Sequence, residues 1–233
     1  YEVALAKKFK SKFAISTNSG TAALHCAINA IGLEKGDEIL VSANAGPMTI
    51  QPLIQEGLKI NFFDLDPTCV DYNFEDLELK ISNKTKAIIP VYMWGKLPNI
   101  NKLTELKEKY NLKIIEDAAQ AHGTQFRGKY AGNLFDIGCF STHQSKIIST
   151  GEGGFLLTNS EATKERIKKF KNNNLLNKSI SEGFNYRISN LSAVLGISEL
   201  NYFDEKLKVL ENNRDAFLEG AKNLRLLDIQ KEE

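Results

Sequence analysis

Short apolar runs recur along the first half of the chain, at Phe13–Ile15, Glu38–Val41, Ile60–Phe63, Ala87–Val91 and Lys113–Ile115. Each has the length of a strand and is nearly continuous in hydrophobicity, as suits a strand buried on both faces. Helical stretches are predicted between them, at 20–31, 49–56, 74–80 and 99–109. Strands that alternate with helices return by right-handed crossovers, so the pattern points to an α/β fold with a mostly parallel sheet flanked by helices. Further strands are predicted near 137–141 and 153–158. After Asn159 the texture turns helical, at 160–172 and 189–224, joined by the polar stretch Asn172–Glu182, and no further strand is expected. The opening YEVALAKKFK reads as the inside of an amphipathic helix.

Charge and composition narrow the function classes. The 233 residues carry a formal net charge of +1, and lysine outnumbers arginine 25 to 5, which leaves few guanidinium forks for phosphate. That balance speaks against a dedicated nucleic-acid binder. A hydrophobic share of 42% supplies enough apolar side chain to offset the entropy of ordering, so a wholly disordered chain is excluded. No apolar run is long enough for a membrane span. Cys26, Cys69 and Cys139 are far apart and form no Cys/His cluster, so neither a disulfide framework nor a zinc site is indicated, and the cytoplasm is the default location.

Four segments could carry chemistry. Thr17–Leu24 follows a strand and opens a helix, where unpaired N–H groups attract an anion such as phosphate; taken alone, the segment reads first as a plain cap by Ser19 or Thr21. Ile114–Gly123 puts Glu116 and Asp117 at the C-terminal end of a buried strand, the edge where parallel sheets bind ligands. Small alanines after Asp117 leave room for something flat, and an aspartate there can hold a cationic ring nitrogen; its alternative role is to cap the next turn. His122 has no second ligand at a suitable spacing, so no metal is expected. Cys139–Lys146 is followed by the glycine-rich Gly151–Gly154. Lys146 there is either an ordinary surface lysine or one desolvated for Schiff-base chemistry. Gly183–Asn190, with Asn185 and Arg187, reads by itself as a loop closing onto a helix N-terminus.

Together a phosphate cup, an acidic partner for a ring nitrogen, a Schiff-base lysine and a downstream polar loop are the parts of a pyridoxal phosphate site. Their order and spacing resemble fold-type I aminotransferases, and more narrowly the DegT/DnrJ/EryC1/StrS family of sugar aminotransferases. The resemblance rests on SGTAAL at 19–24, GDEI at 36–39, EDAAQAHG at 116–123, the FS…K pattern at 140–146, GEGG at 151–154 and G-x-N-x-R at 183–187.

That resemblance implies a three-layer, aspartate aminotransferase-like large domain over residues 1–200. Residues 201–233 would be a helix leading toward a small C-terminal domain that this chain lacks. The implied cofactor is pyridoxal 5'-phosphate. Lys146 would join it covalently and shuttle a proton, Asp117 would pair with its ring nitrogen, and Gln120 would lie near the ring. Gly20, Thr21, Ala22 and Ser141 would hold the phosphate. Asn185 would reach the phosphate of a neighbouring subunit, which implies a homodimer with shared sites. The implied reaction moves an amino group from L-glutamate, leaving 2-oxoglutarate, to a keto-sugar, usually nucleotide-linked, for lipopolysaccharide or a related product. Two positions depart from the family pattern. Its Thr–aromatic pair after the strand at 38–41 is Ala45–Gly46 here, so ring stacking from that position is absent, and its FSF before the lysine is FST, with Thr142. The competing readings are a non-catalytic small-molecule-binding relative and a sugar dehydratase. Dehydratases of this kind replace the lysine with histidine; Lys146 is retained, with His143 close by.

Overall fold

A computed structural model of the protein describes residues 1–67, 71–172 and 183–221. Its strands are β1 (Phe13–Thr17), β2 (Glu38–Ser42), β3 (Lys59–Phe63), β4 (Thr85–Ile89), β5 (Lys113–Asp117), β6 (Gln125–Phe126), β7 (Lys129–Tyr130), β8 (Ile137–Ser141) and β9 (Gly154–Thr158). Seven of them form one sheet in the order β1-β9-β8-β5-β4-β2-β3, while β6 and β7 pair as a small separate hairpin that no sequence signal announced. Only β9 runs antiparallel to its neighbours in the large sheet. The cause is the connection at 142–153, which contains no crossover helix and so brings the chain straight back. That connection carries Lys146 and is left at the C-terminal end of β8.

The helices are α1 (Glu2–Lys8), α2 (Gly20–Ala30), α3 (Pro47–Gln55), α4 (Phe74–Leu79), α5 (Ile100–Tyr110), α6 (Glu161–Lys171), α7 (Asn190–Asn201) and α8 (Phe203–Ala221). Five of them start on a Ser or Asn whose side chain accepts the N–H three residues on: Ser19, Asn73, Asn99, Ser160 and Ser189. α3 begins two residues before its predicted start, because Pro47 suits the first helical position. The predicted helix at 189–224 is two helices that break at Tyr202. Residues 222–224, most of Asn172–Glu182, and Cys69 lie outside the described residues.

Alternate strand residues feed opposite cores, which is the three-layer arrangement. Ile39, Val41, Ile89 and Ile115 pack with α2, α3 and α6, while Leu40, Ile88 and Ile114 pack with Leu77 of α4 and Leu103 of α5. The double-sided burial expected of every strand fails for β3. It is one of the two edges of the sheet, and unlike β1 at the other edge it is poorly covered, with Phe62 46% exposed. Edge position is set by strand order, which an apolar run does not encode. α7 is also apolar yet poorly covered: Leu191, Val194, Leu195 and Ile197 are all exposed.

Candidate active site

The C-terminal ends of β1, β5 and β8 converge on a cavity of about 510 Å³. Its wall includes Gly20, Thr21, Asp117, Gln120, Ser141 and Lys146, six of the eight residues the sequence assigned. At the start of α2, Ser19 Oγ accepts the Ala22 N–H at 3.0 Å and its carbonyl accepts the Ala23 N–H. The N–H groups of Gly20 and Thr21, which have no intrahelical partner, are left on the cavity wall. Ala22 is buried behind that wall with its N–H already taken by Ser19. Asn185 is exposed and off the wall, its carbonyl accepting from Asn18 Nδ2 at 3.2 Å.

Gly20 is required by close approach. A Cβ there would sit 2.8 Å from Ser141 Cβ and 3.1 Å from Ser141 Cα. The helix start therefore touches the end of β8, and Ser141 Oγ lies 3.3 Å from the same Cβ position.

Neighbouring residues of a strand face opposite ways, and this separates the two carboxylates of β5. Asp117 faces the cavity. Its Oδ2 accepts from Thr49 Oγ1 at 2.7 Å and its Oδ1 from the Ala119 N–H at 3.2 Å. Burial pushes its pKa above the usual carboxylate range, while the Thr49 hydroxyl, the Ala119 N–H and the charge of Lys146 pull it back. Glu116 faces away and is wholly enclosed. It accepts the N–H groups of Gly132 (2.7 Å), Leu134 (2.9 Å) and Phe135 (2.8 Å), and the Tyr92 hydroxyl (3.1 Å). Glu116 thus ties down the loop before β8 and takes no part in the cavity.

Lys146 is half-buried in the β8–β9 connection, where its backbone N–H donates to the His143 carbonyl at 2.8 Å. The Thr142 hydroxyl bonds that of Thr150 at 2.7 Å, both buried, and so pins the two limbs of the loop together. This is the structural use of the FST departure. At the other departure, Gly46 caps α3 on the cavity wall, and a Cβ built on it would meet nothing within 4 Å. The space that an aromatic would fill is open. Gln120 Oε1 accepts the N–H of Trp94, which is held at a φ of 55°, so Gln120 is tied to the turn at 93–95.

His122 is buried against Phe140, and burial followed by the charge of Lys146 drives its pKa down to about 3. A neutral core histidine is what results. Among the described residues no cluster of His, Cys, Asp or Glu could hold a metal, and no helix is long and apolar enough to cross a membrane. Sequence reasoning missed Thr49 altogether, and it gave no site role to Glu152, Met48 or Met93, which also line the cavity.

Comparison with known proteins gives one consistent picture. The model of the DegT/DnrJ/EryC1/StrS aminotransferase family matches residues 1–231. GDP-perosamine synthase of Escherichia coli O157:H7 is 33% identical over 94% of this chain and 63% of its own length. The synthase of the same name from Caulobacter vibrioides is 35% identical over 91% and 58%. The structure of E. coli GDP-4-keto-6-deoxy-D-mannose-3-dehydratase with bound hydrated PLP superposes with a TM-score of 0.90, at 29% identity, over 100% of this chain and 67% of that one. The chain spans about three fifths of the length of these curated synthases.

Proposed function

Because the chain belongs to the DegT/DnrJ/EryC1/StrS aminotransferase family, we propose that it acts as a pyridoxal phosphate-dependent aminotransferase. It would move an amino group from L-glutamate to a keto-sugar, nucleotide-linked as are the amino sugars in its relatives' names. The observation that carries this reading is one cavity lined at once by a helix N-terminus, Ser141, Asp117 and Lys146.

The residues present fit the cofactor. Gly20 and Thr21 offer free N–H groups at the positive end of α2, and a Cβ at Gly20 would fill the cradle. The buried Asp117 has only neutral hydrogen-bond donors within reach, and a protonated ring nitrogen would supply the positive partner that burial calls for. When bound, pyridoxal phosphate supplies an electron-poor ring that accepts the pair released from the Cα–H bond of the amino donor. The Lys146 amine is the group on the wall able to join the cofactor and to carry the proton from Cα. Asp117 would keep the ring nitrogen protonated, Ser141 with the α2 N-terminus would hold the phosphate, and Gln120 would lie near the ring.

A homodimer that shares its sites fits the exposed apolar face of α7 and the position of Asn185 off this chain's own cavity wall. Residues 1–200 would then be the cofactor-binding domain, with 201–233 leading toward a small domain, in keeping with the greater length of the relatives. Amino-sugar synthesis for lipopolysaccharide, in the cytoplasm, is the setting we assign.

The test is spectroscopic and chemical. The purified protein should bind the cofactor with a visible absorbance that borohydride abolishes, and L-glutamate should discharge that band and yield 2-oxoglutarate. A protein that shows neither is a non-catalytic relative. Similarity to the dehydratase makes deoxygenation the second reading, and retained Lys146 argues against it. With a 4-keto sugar nucleotide, the appearance of an amino sugar supports transfer, and a deoxy-keto product with no net amination would overturn it.

Gly20→Ala checks the phosphate cup. The gain in helix propensity is under about 1 kcal/mol, while overpacking against Ser141 costs about 1–3 kcal/mol. The clash wins, and cofactor affinity measured by equilibrium dialysis should fall about tenfold or more.

A further inference from the structure

The open space at Gly46 raises the question of what α3 contributes to the site in place of an aromatic. The third residue of α3 is Thr49, only 3% exposed, and its hydroxyl lies 2.7 Å from Asp117 Oδ2. A threonine in a helix more often turns its hydroxyl back to a carbonyl of the preceding turn. Here the hydroxyl is spent on a carboxylate 68 residues away in sequence, across the wall of the cavity. The Ala119 N–H holds the other oxygen, so each carboxylate oxygen has one protein donor and keeps acceptor capacity to spare.

We infer that Thr49 is a positioning residue for the proposed transamination: its hydroxyl aims the Asp117 carboxylate and favours its ionised form. The inference rests on the aminotransferase reading for its consequence in turnover, and on the Thr49–Asp117 pair alone for its consequence in Asp117. Burial works against the charge on Asp117, and a donated hydrogen bond works for it. The other titratable groups facing Asp117 are Lys146 from the β8–β9 connection, Cys139 of β8 and Tyr72 ahead of α4. Burial keeps the Cys139 thiol and the Tyr72 phenol protonated and neutral. That leaves Thr49 as the side-chain hydrogen bond that, beside the charge of Lys146, works against burial and favours the ionised form of Asp117.

Thr49→Val keeps the shape and removes the donor, and Thr49→Ser keeps the donor and removes a methyl. Infrared spectroscopy of protein carrying isotope-labelled aspartate, without cofactor, isolates the Asp117 carboxyl as the band that is lost in Asp117→Asn. Its protonation midpoint should rise by about one pH unit in Thr49→Val and return in Thr49→Ser. In the holoenzyme, kcat of the glutamate half-reaction should fall about tenfold at neutral pH, with KM for glutamate within about twofold of wild type. The acid limb of the pH profile should move to higher pH, because Asp117 takes up its proton earlier. Should Thr49→Val not fold, Thr49→Ala serves in its place. An unmoved infrared midpoint, or a Thr49→Ser variant as impaired as Thr49→Val, would overturn the inference. A midpoint that shifts in Thr49→Val, in a protein whose wild type gives no glutamate half-reaction, would instead overturn the aminotransferase reading and leave the pairing standing.

Discussion

Lys146→Ala is expected to lower the glutamate half-reaction by roughly 10⁴-fold or more while the protein stays folded. Two functions fall on this one amine in the proposed mechanism, covalent attachment and proton transfer. The loss should therefore be near the upper end of what a single group supplies. Folding should survive because the loop does not hang on the side chain. The backbone N–H of Lys146 bonds the His143 carbonyl, and the loop is clamped by the Thr142–Thr150 hydroxyl pair and the glycine turn behind it. Removing the amine also removes a charge that favours ionised Asp117, so a purely electrostatic role has to be separated from a chemical one. Lys146→Arg does this. It keeps the positive charge, but a guanidinium stays protonated and cannot join a carbonyl. Both variants should lose the borohydride-sensitive band, and circular dichroism should show wild-type structure. A Lys146→Arg enzyme with normal turnover would show that only the charge matters, and the assignment of Lys146 would then be lost.

Much of this site is readable in the chain because its parts are local. SGTAAL follows β1 and opens α2, and EDAAQAHG and the run from Ser141 to Gly154 each start at the end of a strand, so their place just after strand ends already puts them on one edge of the sheet. What the chain conceals is pairing at a distance. Thr49 is one of many threonines until β5 brings Asp117 within 2.7 Å of it. The roles of Glu116 and Asp117 look alike in sequence, and only the phase of β5 sends one to the cavity and the other to the loop at 132–135. Edge exposure of β3 depends on the order of all seven strands. The break at Tyr202 falls between two helices with neither glycine nor proline to mark it. The antiparallel return of β9 was more accessible, since the stretch at 142–153 has no helical periodicity and so could not make a parallel crossover.

Glu116 should govern stability as strongly as Lys146 governs turnover. Glu116→Ala leaves three backbone N–H groups and the Tyr92 hydroxyl buried without their acceptor. At about 1–3 kcal/mol for each orphaned group, the cost approaches the whole stability of an ordinary domain. The variant is expected to be insoluble. Glu116→Gln is gentler and more informative. One amide oxygen can still serve Leu134 and Phe135, but the amide nitrogen then meets the Gly132 N–H head on. Gly132 cannot turn aside easily: it sits at a φ of 80°, and a Cβ on Gly138 of β8 would already collide with it at 2.1 Å. A loss of about 3 kcal/mol follows, or roughly 6–12 °C in Tm. The acid has an advantage that glutamine lacks, and it depends on pH. Burial raises the Glu116 pKa from 4.5 to about 7, against the pull of its donors. The folded state therefore binds more protons than the unfolded state between those values, and wild-type stability falls as pH rises from 4.5 and levels off above 7. When protonated, Glu116 can donate to a reoriented Tyr92 hydroxyl and still accept all three amides. The gap between wild type and Glu116→Gln should accordingly be widest at the acid end and narrow by roughly 3 kcal/mol as pH passes 7, because glutamine does not titrate. Urea denaturation at several pH values measures that gap directly. A gap that stays constant across the range would mean that Glu116 remains charged throughout, held ionised by its four donors in spite of its burial.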